Sequence, residues 1–520
     1  MDRSLWKKFT DIVSSAIPLA LFTLVAYAEV FFFVSGGFFE TGRQLYGSSL
    51  FSVLLLTVTS GLTLYFGVSL YLALYRPEVS RNGTVVFIAE LLSAAVGVAI
   101  PIILYYARTF EAATLLVTLP YFLAGLGAAV TLLLIPLARK RKVLVVIAAA
   151  VFVFSICGFA AVTANGREVR FEADPVVFDT GDGFSVVWCT NVTTIGYLEY
   201  SYGGEDYKVY DAEDGKYRAD KRVHSVRVPY EHLYGNDYTV SVAKVLKNAS
   251  RFSEVGEVVT SKSYTFAEKV TGDELKLLSL TDWHEKVDKL YAVAEGQEYD
   301  VLLMMGDAIN YVNEFDDILN NIVIPGGKLT GGVKPVLFAR GNHEVRGKYA
   351  GEIRSVLGLD EYYYTATYGE VNFIVFDGAD DKADDDPQNG ILTVCEAYRE
   401  EELAAMEALP VLSSGYNICL CHIPYYAIGK DAEDAPPPHA AEQRARFTAI
   451  LEKQNVKLEI SGHEHYLEYV EGDSFDTLIA GGPTSDGYVA CMITVKGGVA
   501  NVVAYTAEKT VATYGPIALD

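Results

Sequence analysis

Apolar and polar positions are arranged in three different ways along the chain. In the first 164 residues the apolar runs are long and almost unbroken, covering about 12–36, 48–75, 84–107, 112–137 and 143–163. Each is long enough to cross a hydrocarbon core of about 30 Å at about 1.5 Å per helical residue. Five in succession predict a five-helix transmembrane domain over 1–164. Arg3, Lys7 and Lys8 precede the first run, Arg76 and Arg81 follow the second, and Arg139 to Lys142 follow the fourth. The other loops carry only Arg43 and Arg108. That bias predicts a multi-pass protein of the cell membrane, with a cytoplasmic N-terminus and residues 165–520 on the extracytoplasmic side.

From 165 to 272 the runs become short and alternate, as in Phe184-Ser185-Val186-Val187-Trp188 and Tyr238-Thr239-Val240-Ser241-Val242, with Gly, Asn and Asp clusters between them. Period-two alternation broken by turn residues predicts an all-β sandwich. From 273 to 520 the runs are short but continuous: Leu277–Leu280, Val301–Met305, Val336–Ala339, Ile418–Leu420 and Leu458–Ile460. Such runs read as strands buried on both faces, and in an α/β sheet the residues just past their carboxyl ends line one crevice.

A polar cluster follows each of these runs: Asp282-Trp283-His284, Gly306-Asp307, Arg340-Gly341-Asn342-His343-Glu344, Cys421-His422 and Gly462-His463-Glu464-His465. Together they bring two Asp, one Asn and five His to one edge. These are hard and borderline ligands that suit Mn, Fe, Zn or Mg. The six cysteines show no C-x-x-C spacing and read as packing residues.

The order D-x-H, G-D, G-N-H-E, H and G-H-x-H resembles the calcineurin-like metallophosphoesterase superfamily over roughly 275 to 510. The resemblance implies an α/β domain of two packed sheets flanked by helices, holding two divalent or trivalent metal ions. It assigns Asp282, His284, Asp307 and His465 to the first ion and Asp307, Asn342, His422 and His463 to the second, with Asp307 as the bridge. His343 falls outside the metal shell, where it would stabilise charge on phosphorus or protonate the leaving oxygen. Asn342, His343 and Arg340 are the expected phosphate contacts, although Arg340 reads equally well as the partner of a nearby carboxylate.

Trp188, Leu233-Tyr234 and Tyr238 make 165–272 resemble the fibronectin-III-like domain that precedes the catalytic domain of purple acid phosphatases. The first motif departs from that subfamily, because it holds His284 and because the third position after Asp307 is Asn310 rather than Tyr. The acidic stretch Asp377 to Asp386 reads as a solvated loop.

Charge narrows the partners. Residues 1–164 carry eleven Lys and Arg against seven Asp and Glu, and the whole chain is at −24, so the remainder stands at −28. An acidic surface disfavours a nucleic-acid backbone. The expected function is a membrane-anchored phosphoesterase acting on a small phosphate ester or a lipid-linked phosphate. The rival is a membrane sensor or transporter whose exported domain binds metal without catalysis.

Overall fold

The computed structural model describes residues 169–219, 221–247, 254–387, 392–428 and 438–520, together with eight positions among the first twenty. The chain forms two compact units. The first takes in Met1–Arg170, Asn191–Ile195 and Ala243–Val259, and within it the Trp6 and Phe9 rings stack at 5.9 Å. The second comprises Phe171–Thr190, Gly196–Val242 and Thr260–Asp520, and every candidate site residue lies in it.

Nine strands of the second unit are labelled in chain order: β1 Val176–Asp179, β2 Phe184–Cys189, β3 Val223–Val228, β4 Glu274–Leu280, β5 Val301–Met304, β6 Pro335–Phe338, β7 Tyr364–Tyr368, β8 Val371–Phe376 and β9 Tyr416–Cys421. They are followed by β10 Val456–Ser461, β11 Leu467–Val470, β12 Asp476–Ala480, β13 Gly487–Lys496, β14 Val499–Tyr505 and β15 Thr510–Ala518. One sheet runs β15-β14-β13-β4-β5-β6-β1-β2-β3, and a second runs β7-β8-β9-β10-β12-β11. β4, β5 and β6 are mutually parallel, as are β8, β9, β10 and β12.

The continuous apolar runs are explained by burial on both faces. Leu277, Leu303 and Leu337 point into a core shared with Phe373, Leu420 and Ile460 of the other sheet. Their neighbours Leu278, Leu302 and Val336 point the opposite way, onto Leu290 and Val293 of helix α1, Val287–Ala294. On the far side, Ile374, Cys419 and Cys421 pack against Leu403 of α2, Cys395–Ala408, and Phe447 of α3, Pro438–Lys453. The result is an α/β/β/α stack. All five described cysteines are buried and free.

The expected fold class needs two corrections. The transmembrane domain is not found: among the described residues no helix is long and apolar enough to cross a membrane. The longest helix labelled here, α3, has 16 residues and a largely polar surface, short of the ~20 apolar residues a span needs. The five apolar runs themselves lie outside the described residues, apart from a few positions in the first. Part of the region expected to be a separate fibronectin-III-like sandwich belongs instead to the catalytic sheet. β1 pairs in parallel with β6, through Val177↔Pro335 and Phe178↔Val336, and carries β2 and β3 into the same sheet. Without β1, the open side of β6 would be an unpaired edge beside a functional loop. The Phe178 and Phe338 rings lock this junction edge to face at 6.2 Å. The architecture of the C-terminal region is a metallophosphoesterase-like α/β fold.

Candidate metal centre

β4, β5, β6, β9 and β10 all end at the same rim, and the loops after β4, β5 and β10 turn sharply. Asp282, His284, Asp307, His463 and His465 have φ of 55°, 42°, 52°, 71° and 55°. Left-handed backbone is costly for residues other than Gly, Asn and Asp, and its clustering here marks a site where geometry is bought with strain. Two glycines allow the loops to approach. A Cβ on Gly341 would stand 2.2 Å from Asp307 Oδ1, and one on Gly462 would stand 2.0 Å from Thr281 Oγ1.

Asp282, His284, Asp307 and His465 each place a ligand atom in one group, and Asp307, His422 and His463 do so in another, with all atoms of a group within 4.8 Å of one another. Asp307 belongs to both. Its Oδ2 lies 3.2 Å from His422 Nε2 and 3.9 Å from His284 Nε2. Its Oδ1 accepts the His343 amide at 3.0 Å, which fixes the carboxylate plane. Asn342 lies against the second group, with the nitrogen of its amide 3.1 Å from His463 Nδ1 and 3.3 Å from Asp307 Oδ2 and the oxygen accepting from Arg346 at 3.0 Å.

The imidazoles are held from behind. His422 Nδ1 donates to the Met305 carbonyl at 2.6 Å, which leaves Nε2 facing Asp307. His343 Nδ1 donates to the Asn310 carbonyl at 2.9 Å, and its Nε2 stands 3.9 Å from Asp307 Oδ2. A backbone carbonyl on one ring nitrogen sets the tautomer and aims the other. Burial favours neutral groups here, yet the opposite charges win. Asp307 and Asp282 raise the His422 imidazole to about 10, and His422 and His343 hold Asp307 well below the usual carboxylate range.

These atoms fit cations better than they fit each other. Asp282 Oδ1 and His422 Nε2 are buried and make no hydrogen bond, although each has another ligand atom at 3.2 Å. His284 Nε2 and His465 Nε2 face each other at 3.0 Å. Lone pairs aimed at shared points, with no thiolate among them, are what a hard or borderline cation requires.

Residues 275–467 match the family model for calcineurin-like phosphoesterases. This segment is a calcineurin-like metallophosphoesterase domain. Calcineurin-like domains typically bind divalent metals, and the match together with the two ligand groups supports a metal-dependent phosphoesterase. Among solved structures, the chain is similar to GAP50, the anchor in the inner membrane complex of Plasmodium, at 14% identity and a TM-score of 0.34, over 48% of this chain and 90% of that one. It is similar to phosphopantetheinyl hydrolase from Mycobacterium tuberculosis at 15% identity and 0.28, over 41% and 90%. It is similar to vacuolar protein sorting 29 from Cryptosporidium parvum at 14% identity and 0.24, over 46% and 97%. No curated protein matches the chain.

The metallophosphoesterase rim thus gathers Asp282, His284, Asp307, Asn342, His343, His422, His463 and His465, but not Arg340. The Arg340 guanidinium is buried in a bidentate pair with Asp377, with Nε donating at 2.9 Å, and its Cζ lies 4.0 Å over the Tyr362 ring. The fork of Nε and one terminal nitrogen is thus aimed at Asp377. Tyr311 stays outside both ligand groups: it is half exposed, with its ring 6.1 Å from that of His343.

Two contributions escaped the sequence reading. Glu344 was given no role, yet it is buried and accepts four backbone amides, from Asp307, Ala308, Ile309 and Gly341, at 2.7–3.1 Å. Burial and Asp307 together push its carboxyl up to about 7. The acidic stretch is also not a solvated loop at its start, because Asp377, Asp380 and Asp381 are buried. Its position after the continuous run Val371–Phe376 was the available signal, since β8 ends at the same rim as its neighbours.

Proposed function

We propose that this chain hydrolyses a small phosphate ester at a centre of two divalent or trivalent cations, Mn, Fe, Zn or Mg. The first would be held by Asp282, His284, Asp307 and His465, and the second by Asp307, Asn342, His422 and His463. The observation that carries this reading is that both ligand groups share Asp307, whose Oδ2 lies 3.2 Å from His422 Nε2 and 3.9 Å from His284 Nε2. Cations held in this way lower the pKa of water and neutralise phosphoryl oxygens during in-line displacement.

The chain's own groups supply the rest. Asp307, fixed by the His343 amide, sets the spacing of the two groups. His343 is not needed to complete either group, and its Nε2 faces the centre while its Nδ1 is occupied by Asn310. That placement suits a donor to the leaving-group oxygen, and a purely metal-binding domain has no use for it. This favours catalysis over a non-catalytic metal-binding role. The acidic balance of the chain favours a small ester over a nucleic-acid backbone.

The test is hydrolysis of p-nitrophenyl phosphate and bis-p-nitrophenyl phosphate by the full chain, stripped of metal and then supplied with Mn, Fe, Zn or Mg. Turnover that appears only with added metal is expected. No turnover of either ester with any of the four metals would defeat the proposal.

A further inference from the structure

His463 has a nitrogen on each side of its ring, and the two face different surroundings. Nδ1 looks inward, 3.1 Å from the Asn342 amide. Nε2 looks outward, 3.4 Å from Asp381 Oδ2, and Asp381 is only 4% exposed. A buried carboxylate is costly unless something uses it.

The loop that brings Asp381 there is held in several places. Ala379 has a φ of 55°, which turns the chain inward two residues before Asp381. Glu402 of α2 accepts the amides of Asp377 at 2.6 Å and Gly378 at 3.2 Å. Arg399 of the same helix is buried and donates to the carbonyls of Gly378 and Asp380, while its Nε donates to Gln443 of α3 at 2.8 Å. Asp380 accepts from Arg346 at 3.0 Å, and Lys382 donates to Asp381 at 3.0 Å. Two helices and a strained turn therefore fix a carboxylate against the outer nitrogen of a single imidazole.

We infer that Asp381 is a positioning residue, orienting His463 and making its inner nitrogen a stronger donor to the cation shared with Asp307, Asn342 and His422. The inference rests on the reading of the centre proposed above. A carboxylate that accepts the outer N–H of a ligating imidazole fixes its tautomer and rotation and raises its basicity, and losing such a partner weakens metal affinity about 10- to 100-fold. On the outer side of His422 the Met305 carbonyl serves instead.

The experiment is Mn²⁺ titration calorimetry on the metal-free full chain, with thermal melting of each metal-free variant as a check on folding. Asp381→Asn and Asp381→Leu should weaken one Mn²⁺ event by about 10- to 100-fold and leave the other as in the wild type. Asp384→Asn disturbs the same loop through the Glu396 amide, which its carboxylate accepts at 3.3 Å, and it should leave both events unchanged. If Asp381→Asn does not fold, Asp381→Glu is read in the same way, with a smaller selective loss. Two wild-type events in the folded Asp381 variants, or equal weakening of both, would overturn the inference alone. A wild-type chain that binds no Mn²⁺ would overturn the reading of the centre beneath it.

Discussion

Glu344 Oε2 accepts the backbone amide of Asp307 at 2.9 Å, so the residue shared by both ligand groups is held by the loop that supplies Asn342 and His343. The same carboxylate reaches three further amides. Each buried amide left without an acceptor costs about 1–3 kcal/mol. Glu344→Ala should therefore lose at least about 3 kcal/mol in urea unfolding, whereas Glu344→Gln, which keeps one oxygen acceptor, should lose less. Equal stability of Glu344→Ala and the wild type would show that these amides find other partners.

Asp307→Asn and His343→Ala should fail in different ways. Asp307→Asn removes the shared charge, so bound metal measured by elemental analysis should fall and hydrolysis should drop by more than about a hundredfold. His343→Ala should keep its metal and lose about 10²- to 10⁴-fold in kcat with little change in KM. Loss of metal from His343→Ala would place that imidazole in the ligand set instead.

Arg340 offers a test between its two readings. Its pair with Asp377 is buried, and removing one partner of such a pair costs about 3–5 kcal/mol. Arg340→Met should unfold at lower denaturant while KM for p-nitrophenyl phosphate stays near the wild-type value. A rise in KM without loss of stability would restore Arg340 as a phosphate contact.

Asp179, at the end of β1, is buried among tyrosines and accepts from Tyr230 and Tyr368 at 2.6 Å each. Burial raises its carboxyl from 3.8 to about 6, against the opposing pull of those phenols. The folded chain therefore holds this proton more tightly than the unfolded chain does. The stability it contributes is present below about pH 4 and is lost as pH rises to about 6, an effect on the order of 3 kcal/mol. Urea unfolding of Asp179→Asn against the wild type from pH 4 to 7 should show a difference that changes over this window and then levels off.

The ligand residues were legible because each follows a continuous apolar run, and the parallel sheets bring those runs to a common end. What sequence could not show was pairing across long separations. Asp381, past the end of β8, meets His463, past the end of β10, and Asp380 meets Arg346 from the loop after β6, so locally the stretch reads as any polar loop. Arg340 faced two equal readings, and its partner Asp377 stands 37 residues away, beyond the reach of local pattern. The alternation over 165–272 signals strands, and strands are found there, but period two does not tell which sheet a strand joins. The pairing of β1 with β6 therefore lay beyond it.

That pairing sets a limit for anyone cutting this protein down. A fragment begun at residue 273, where the motifs alone would place the start, would lose β1, β2 and β3 and bare the flank of β6 a few residues from Asn342 and His343. Exposed strand flanks recruit other chains, so such a fragment should aggregate. A useful truncation keeps everything from Phe171 onward.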